Sequence, residues 1–199
     1  MDLDAAGGDV SQLAGDEASR AAGLRFAVDR ARFVARRCAL RRLLGGYLGL
    51  SAGAVELDYG ERGKPRLVSP GHAAGLDFNL ADSGPLALYA IARGRAVGVD
   101  IERLRTDVDV RRVADRVLSP AEWDALAALP PEERTRAFFT RWVAEEAALK
   151  LSGRGLAGFD DPARTHRGAS VLPVPVSPGY AAALATEEPA PPPRRWRGG

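Results

Sequence analysis

Two acidic motifs constrain this chain more than anything else in it. The first, Val97-Gly98-Val99-Asp100-Ile101-Glu102, is an apolar run with acids at alternate positions near its end. In a strand, residues two apart point to one face, so Asp100 and Glu102 project together. The second, Arg141-Trp142-Val143-Ala144-Glu145-Glu146-Ala147-Ala148-Leu149-Lys150, reads as helix, where Glu146 and Lys150 lie one turn apart on a shared face. A fold that sets the strand end against the helix gathers three carboxylates, Asp100, Glu102 and Glu146, beside one ammonium. Such an all-oxygen set suits Mg²⁺, which takes one or two carboxylates and leaves room for substrate phosphates. Taken singly, the motifs also fit a strand with a polar edge and a helix with a solvated ion pair. Their order and surroundings carry the reading.

Periodicity predicts an α+β chain. Helical patterning covers 11–22 and 25–48, where Leu40, Leu43, Leu44, Tyr47 and Leu48 form an apolar stripe. Short strands are expected at 54–58, 66–68, 76–80 and 86–92, then the acidic strand at 97–102. Helices follow at 108–117, 120–128 and 132–152, with Ser119-Pro120 supplying a serine cap and a first-turn proline. Strands at 171–176 and 180–185 close the pattern. Residues 1–10 read as a flexible lead-in and 187–199 as an extended Pro/Arg-rich tail.

Composition serves mainly to exclude. At 199 residues, 46% apolar and 27% charged, the chain can bury one core or a closely packed pair of halves. A net charge of +2 gives no bulk electrostatic case for nucleic acid. A single cysteine, Cys38, allows no internal disulfide, which fits a reducing compartment and a buried, inert thiol. No apolar run approaches the roughly 18–20 residues that span a bilayer, and no basic segment leads into an apolar core as a secretion signal would. A cytoplasmic protein without a membrane partner is expected. His72 and His166 sit in Gly/Pro-rich stretches away from any Gly-x-Ser-x-Gly or Cys-x-x-Cys pattern, which argues against a histidine hydrolase or a zinc site. There is no phosphate loop of the Walker type and no dinucleotide fingerprint. Arginine dominates the basic residues, and the only two lysines, Lys64 and Lys150, both stand in motifs.

Five motifs in order resemble the 4′-phosphopantetheinyl transferases, in their larger, monomeric, surfactin-type form with two similar halves. They are the Arg-rich helix from Asp29 to Leu48, Gly63-Lys64-Pro65-Arg66-Leu67, Phe78-Asn79-Leu80-Ala81-Asp82-Ser83-Gly84, Val97 to Glu102, and Trp142 to Lys150 running on to Gly153-Arg154-Gly155-Leu156. The resemblance implies two α/β halves, 11–96 and 97–186, related by pseudo-two-fold symmetry with the active site in the cleft between them. It implies transfer of the phosphopantetheine arm of coenzyme A to a serine of an apo acyl or peptidyl carrier protein, with Mg²⁺ or Mn²⁺. By position, Asp100, Glu102 and Glu146 match the metal-binding acids, and Glu146 is also the candidate base for the serine. Lys150 matches a lysine facing the phosphates. Lys64 and Ser83 match coenzyme A contacts. Arg32 or Arg36 is a candidate for a coenzyme A phosphate, against the plainer reading that Arg30, Arg32, Arg36, Arg37, Arg41 and Arg42 solvate the helix's outer face.

Two departures bear on activity. Where the family usually carries Ser-His-Ser, this chain has Ala81-Asp82-Ser83, and an aspartate there repels the nucleotide 3′-phosphate that the histidine helps to hold. Where the family usually carries Lys-Glu, this chain has Glu145-Glu146, a swing of two charge units, for which Arg95, Arg141 and Arg154 are candidate compensators. These departures keep a second reading open: a non-catalytic or weakly active relative that binds a carrier protein or nucleotide without transfer. The stretch between Gly158 and Val171 is also shorter than the family pattern.

Overall fold

The computed structural model describes residues 1–59, 64–68, 75–107, 109–114, 117–153 and 168–187. Two long helices organise them, each packed on antiparallel strands. Helices α1 (Leu3–Ala6), α2 (Gly15–Ala22) and the long α3 (Ala27–Leu48) come first. Two antiparallel pairs follow, β1 (Leu57–Tyr59) with β2 (Pro65–Leu67) and β3 (Leu76–Ser83) with β4 (Leu86–Arg93). After β5 (Val97–Arg103) come α4 (Val110–Ala114), α5 (Pro120–Ala127) and the second long helix, α6 (Pro131–Ser152). The last strands, β6 (Ala169–Pro173) and β7 (Tyr180–Glu187), join β5 in an antiparallel sheet with β7 in the middle. The chain is α+β.

Helix ends follow local chemistry. Ser119 Oγ accepts the Glu122 amide at 3.3 Å while Glu122 Oε2 accepts the Ser119 amide at 2.8 Å, a reciprocal cap ahead of Pro120. Helix α6 opens on Pro131 with Glu132 and Glu133 in its first turn, where the helix dipole favours anions. It closes at Gly153, whose φ of +67° only glycine adopts freely.

Packing then sets the layers. Helix α3 buries Leu40 and Leu44 against Val55, Leu67, Leu76 and Phe78. Helix α6 buries Val143 and Ala147 against Ala183 and Ala185 of β7. Ala81 and Ala90 of the β3–β4 pair meet Val97, Val99 and Ile101 of β5, so one apolar seam joins the two sheets. At Gly98 the backbone of α6 rides directly on β5, and a methyl group there would overlap the Ala147 carbonyl and the Leu151 amide. Glycine is what permits that approach.

Three expectations change. Residues 1–10 are docked rather than flexible: Leu3 is 3% exposed against Ala35 and Ala87, and its amide donates to the Pro85 carbonyl at 2.7 Å. The helix expected over 11–22 starts only at Gly15, after a 3₁₀ turn at Val10–Gln12. Arg37 and Arg41 do not solvate the face of α3. They are buried around Glu17 of α2, itself 2% exposed. Arg41 Nε donates to Glu17 Oε2 at 2.7 Å and its Nη1 to the Val55 carbonyl at 2.7 Å, while Tyr59 OH donates to Glu17 Oε1 at 3.3 Å. Each charge there has an opposite charge or a carbonyl in reach, which makes the burial tolerable.

Cys38 is fully buried; its thiol donates to the Asp9 carbonyl at 3.2 Å, and burial pushes its pKa up. Among the described residues, no helix is long and apolar enough to cross a membrane. The tail from 188 on, both histidines, Gly63, and the stretch 154–167 with Arg154 lie outside the described residues.

Candidate active site

Alternation along β5 builds the site. Val97, Val99 and Ile101 turn toward β3 and β4, which leaves Gly98, Asp100 and Glu102 on the face toward α6. Because Gly98 lets the helix close in, the last turns of α6 carry Glu146 and Lys150 over that face. Lys150 Nζ donates to Asp100 Oδ1 at 2.6 Å. Asp100 is 5% exposed, and its other oxygen, Oδ2, is buried with no hydrogen-bond partner. Burial pushes the Asp100 carboxyl up to about 6, with the Glu102 charge adding to the rise and Lys150 opposing it. Burial also raises Glu146, helped by the Asp100 charge and opposed by Lys150. The three acids therefore stand within electrostatic reach of one another, and one ammonium does not relieve them.

Strands β2 and β3 frame this group. Ser83 Oγ donates to Glu102 Oε2 at 2.9 Å. Lys64 Nζ donates to the backbone carbonyl of Lys150 at 3.3 Å and pairs with Asp77 Oδ2 at 3.8 Å. The chain's two lysines thus meet at the C-terminal turn of α6.

The remaining predicted residues have other company. Arg32 forms a two-point bridge to Asp4, Nε to Oδ1 at 2.7 Å and Nη2 to Oδ2 at 2.8 Å. Arg36 pairs with Asp82, and its backbone carbonyl accepts the Tyr89 hydroxyl at 3.0 Å. Glu145 is 7% exposed and bonds Arg141 Nη1 at 2.6 Å, one turn back on the same helix. Arg141 also reaches Glu122 of α5 at 3.4 Å. The anion at position 145, where the resemblance leads one to expect a lysine, is paired with Arg141, one of the three arginines named for that task.

Among the described residues, no three His, Cys, Asp or Glu side chains are grouped closely enough to cage a metal ion as they stand. The donors fit a hard cation all the same: every candidate ligand is a carboxylate oxygen, and Asp100 Oδ2 is buried and unclaimed. Sequence reasoning missed the roles of Asp77 and Asn79, whose side-chain oxygens accept the Val97 and Val99 amides at 2.8 and 3.1 Å. The signal was present as polar residues alternating with Leu76, Phe78 and Leu80.

This geometry coincides with a clear likeness to known proteins. The family model described as the 4′-phosphopantetheinyl transferase superfamily matches residues 96–191, which take in β5 through β7 with all three acids and Lys150. A protein named 4′-phosphopantetheinyl transferase HetI, from Nostoc sp. (strain PCC 7120), is 42% identical over 152 residues, 76% of this chain and 64% of that protein. The chain belongs to the 4′-phosphopantetheinyl transferase superfamily. A protein of Synechocystis sp. (strain PCC 6803) named putative 4′-phosphopantetheinyl transferase slr0495 is 33% identical over 146 residues, 73% of this chain and 59% of its own length. AcpT of Salmonella typhimurium, also named a 4′-phosphopantetheinyl transferase, is 36% identical over 98 residues, about half of each chain. The chain thus spans less than two thirds of the length of these superfamily members.

Proposed function

We propose that this chain transfers the 4′-phosphopantetheine arm of coenzyme A to a serine of an apo acyl or peptidyl carrier protein. The observation that carries the reading is the buried face of β5, where Asp100 and Glu102 meet Glu146 and Lys150 inside the segment that matches the superfamily. Asp100, Glu102 and Glu146 would hold Mg²⁺ or Mn²⁺, which when bound supplies positive charge to the pyrophosphate oxygens.

The chain's own groups do the rest. Glu146, half-buried and raised by its surroundings, is the group placed to take the serine proton. The serine oxygen bonds to the phosphorus bearing the pantetheine arm, the pyrophosphate P–O bond breaks, and adenosine 3′,5′-bisphosphate leaves. Lys150 presents its ammonium to the phosphates, and Lys64 borders them. The chain acts as a cytoplasmic monomer of two similar halves, 11–96 and 97–186. In support, each half sets a 22-residue helix against antiparallel strands, and the apolar seam between β3–β4 and β5 joins them.

A second reading, binding with little or no transfer, draws on one observation: Arg32 and Arg36, the candidates for a coenzyme A phosphate, each hold a carboxylate of the chain itself. Mass spectrometry separates the two. Apo carrier proteins incubated with the chain, coenzyme A and Mg²⁺ should each gain one phosphopantetheine arm, and EDTA should stop the gain. No gain on any carrier from folded protein would leave only the binding reading.

A further inference from the structure

Among the described residues, β5 pairs with a neighbouring strand on one edge only, that of β7. Along its length, side chains of β3 take three of its amides. Val97 N–H donates to Asp77 Oδ2 at 2.8 Å, Val99 N–H to Asn79 Oδ1 at 3.1 Å, and Arg103 N–H to Ser83 Oγ at 3.0 Å. Every rung joins residues 20 apart, so the three agree on a single register between the strands. The rung to residue 101 has no counterpart because position 81 is alanine, which has no side-chain acceptor.

Ser83 differs from the other two rungs. Asp77 and Asn79 meet the strand through oxygens that only accept, whereas a hydroxyl accepts and also has a proton to give. Ser83 accepts from the Arg103 backbone and gives its proton to Glu102 Oε2 at 2.9 Å. One side chain therefore fixes both the backbone beside Glu102 and the carboxylate itself. Its place is well defined, at the last position of β3 before the tight connection through Gly84 and Pro85 to Leu86.

We propose that Ser83 is a positioning residue for Glu102, the end rung of a side-chain ladder that sets the acidic strand against β3. On this view Ser83 acts through the carboxylate and not by touching coenzyme A, the role that resemblance alone gives it. The inference rests on the proposed assignment of the cation to Asp100, Glu102 and Glu146.

The test reads cation binding directly. Mn²⁺ is titrated into the whole chain and free Mn²⁺ is followed by electron paramagnetic resonance, with coenzyme A affinity measured in parallel by calorimetry without metal. Ser83→Ala should bind Mn²⁺ roughly tenfold more weakly, as when the group orienting a metal ligand is removed, while metal-free coenzyme A affinity stays put. Ser83→Thr should recover the Mn²⁺ affinity because it keeps the hydroxyl. Should the alanine variant fold poorly, Ser83→Val against Ser83→Thr repeats the comparison with two side chains that both suit a strand. Wild-type Mn²⁺ binding in Ser83→Ala, with weakened coenzyme A binding, would overturn the proposal and return Ser83 to cofactor contact. A wild-type chain that binds no Mn²⁺ would overturn the cation assignment, and this proposal with it.

Discussion

Asp100 holds its charge at 5% exposure with one oxygen on Lys150 and the other on nothing. An ordinary aspartate titrates near 3.9 when the chain is unfolded, and burial lifts this one to about 6 in the folded protein. Between those values the folded state keeps a proton that the unfolded state has lost. Stability from this group therefore falls as pH rises from about 4 to about 6, by up to roughly 3 kcal/mol, and is level above. Asp100→Asn removes that penalty. In EDTA it should be at least as stable as the parent at pH 7 by urea titration, and it should lack the parent's decline across this window. A decline of equal size in the variant would place its source elsewhere. The same substitution should abolish transfer, since the carboxylate is a candidate ligand. Glu145 behaves differently. Read from the sequence it belongs with the site; in the fold it is buried on Arg141. Glu145→Lys would set an ammonium against that guanidinium and should cost on the order of 2–3 kcal/mol in stability without any gain in coenzyme A affinity, measurable by thermal unfolding and calorimetry. Strand alternation made Asp100 and Glu102 legible as a pair. Helical spacing put Glu145 one turn from Arg141, but it did not show which of the three candidate arginines would take the glutamate or that the pair would be buried.

Long elements were the easiest to read, because many turns of consistent periodicity outweigh local ambiguity. Helices expected over 25–48 and 132–152 occur at Ala27–Leu48 and Pro131–Ser152, and the acidic strand expected over 97–102 ends at Arg103. What the pattern could not give is how those elements meet, since that depends on chain neighbours distant in sequence. Gly98 is the clearest case: in the sequence it is only a glycine in a strand, and in the fold it is the seat of α6. Gly98→Ala should push the helix off β5 and cost roughly 3 kcal/mol, in the range for forcing extra atoms into a packed interior. Activity should fall further than stability, because the same shift moves Glu146 and Lys150 away from Asp100. Gly46→Ala is the matched control, since a methyl there meets nothing within 4 Å and lies inside α3. It should raise stability by about 1 kcal/mol through helix propensity alone. Paired melting curves measure both. A Gly98→Ala variant as stable and as active as the parent would mean that α6 can accommodate a methyl group at this contact with β5.

Charge is divided unevenly across the whole molecule, although the chain nets only +2. The acids and Lys150 cluster on β5 and α6, whereas the candidate phosphate-binding arginines line α3 and are answered by Asp4 and Asp82. An anionic substrate reaching from one group to the other must therefore compete with the protein's own carboxylates at the arginine end. Coenzyme A differs from its 3′-dephospho form by one phosphate, so the pair of ligands tests that competition while leaving the pyrophosphate constant. With a carboxylate about 5 Å from the phosphate and an effective dielectric near 20, the repulsion is roughly 3 kcal/mol before salt screening. Asp82 is partly exposed, at 35% of its side chain, so screening should reduce this to about tenfold in affinity. The parent should accordingly discriminate little between the two ligands, and Asp82→Asn, which leaves Arg36 without its carboxylate, should favour coenzyme A by about tenfold. The gain should shrink as salt is raised, because the effect is electrostatic. Calorimetric titration of both ligands into both proteins, at low and high salt, gives all the ratios needed. A parent that already prefers coenzyme A strongly would show that the 3′-phosphate lies beyond the reach of Asp82, and that the Arg36–Asp82 pair ties α3 to β3 without gating the nucleotide.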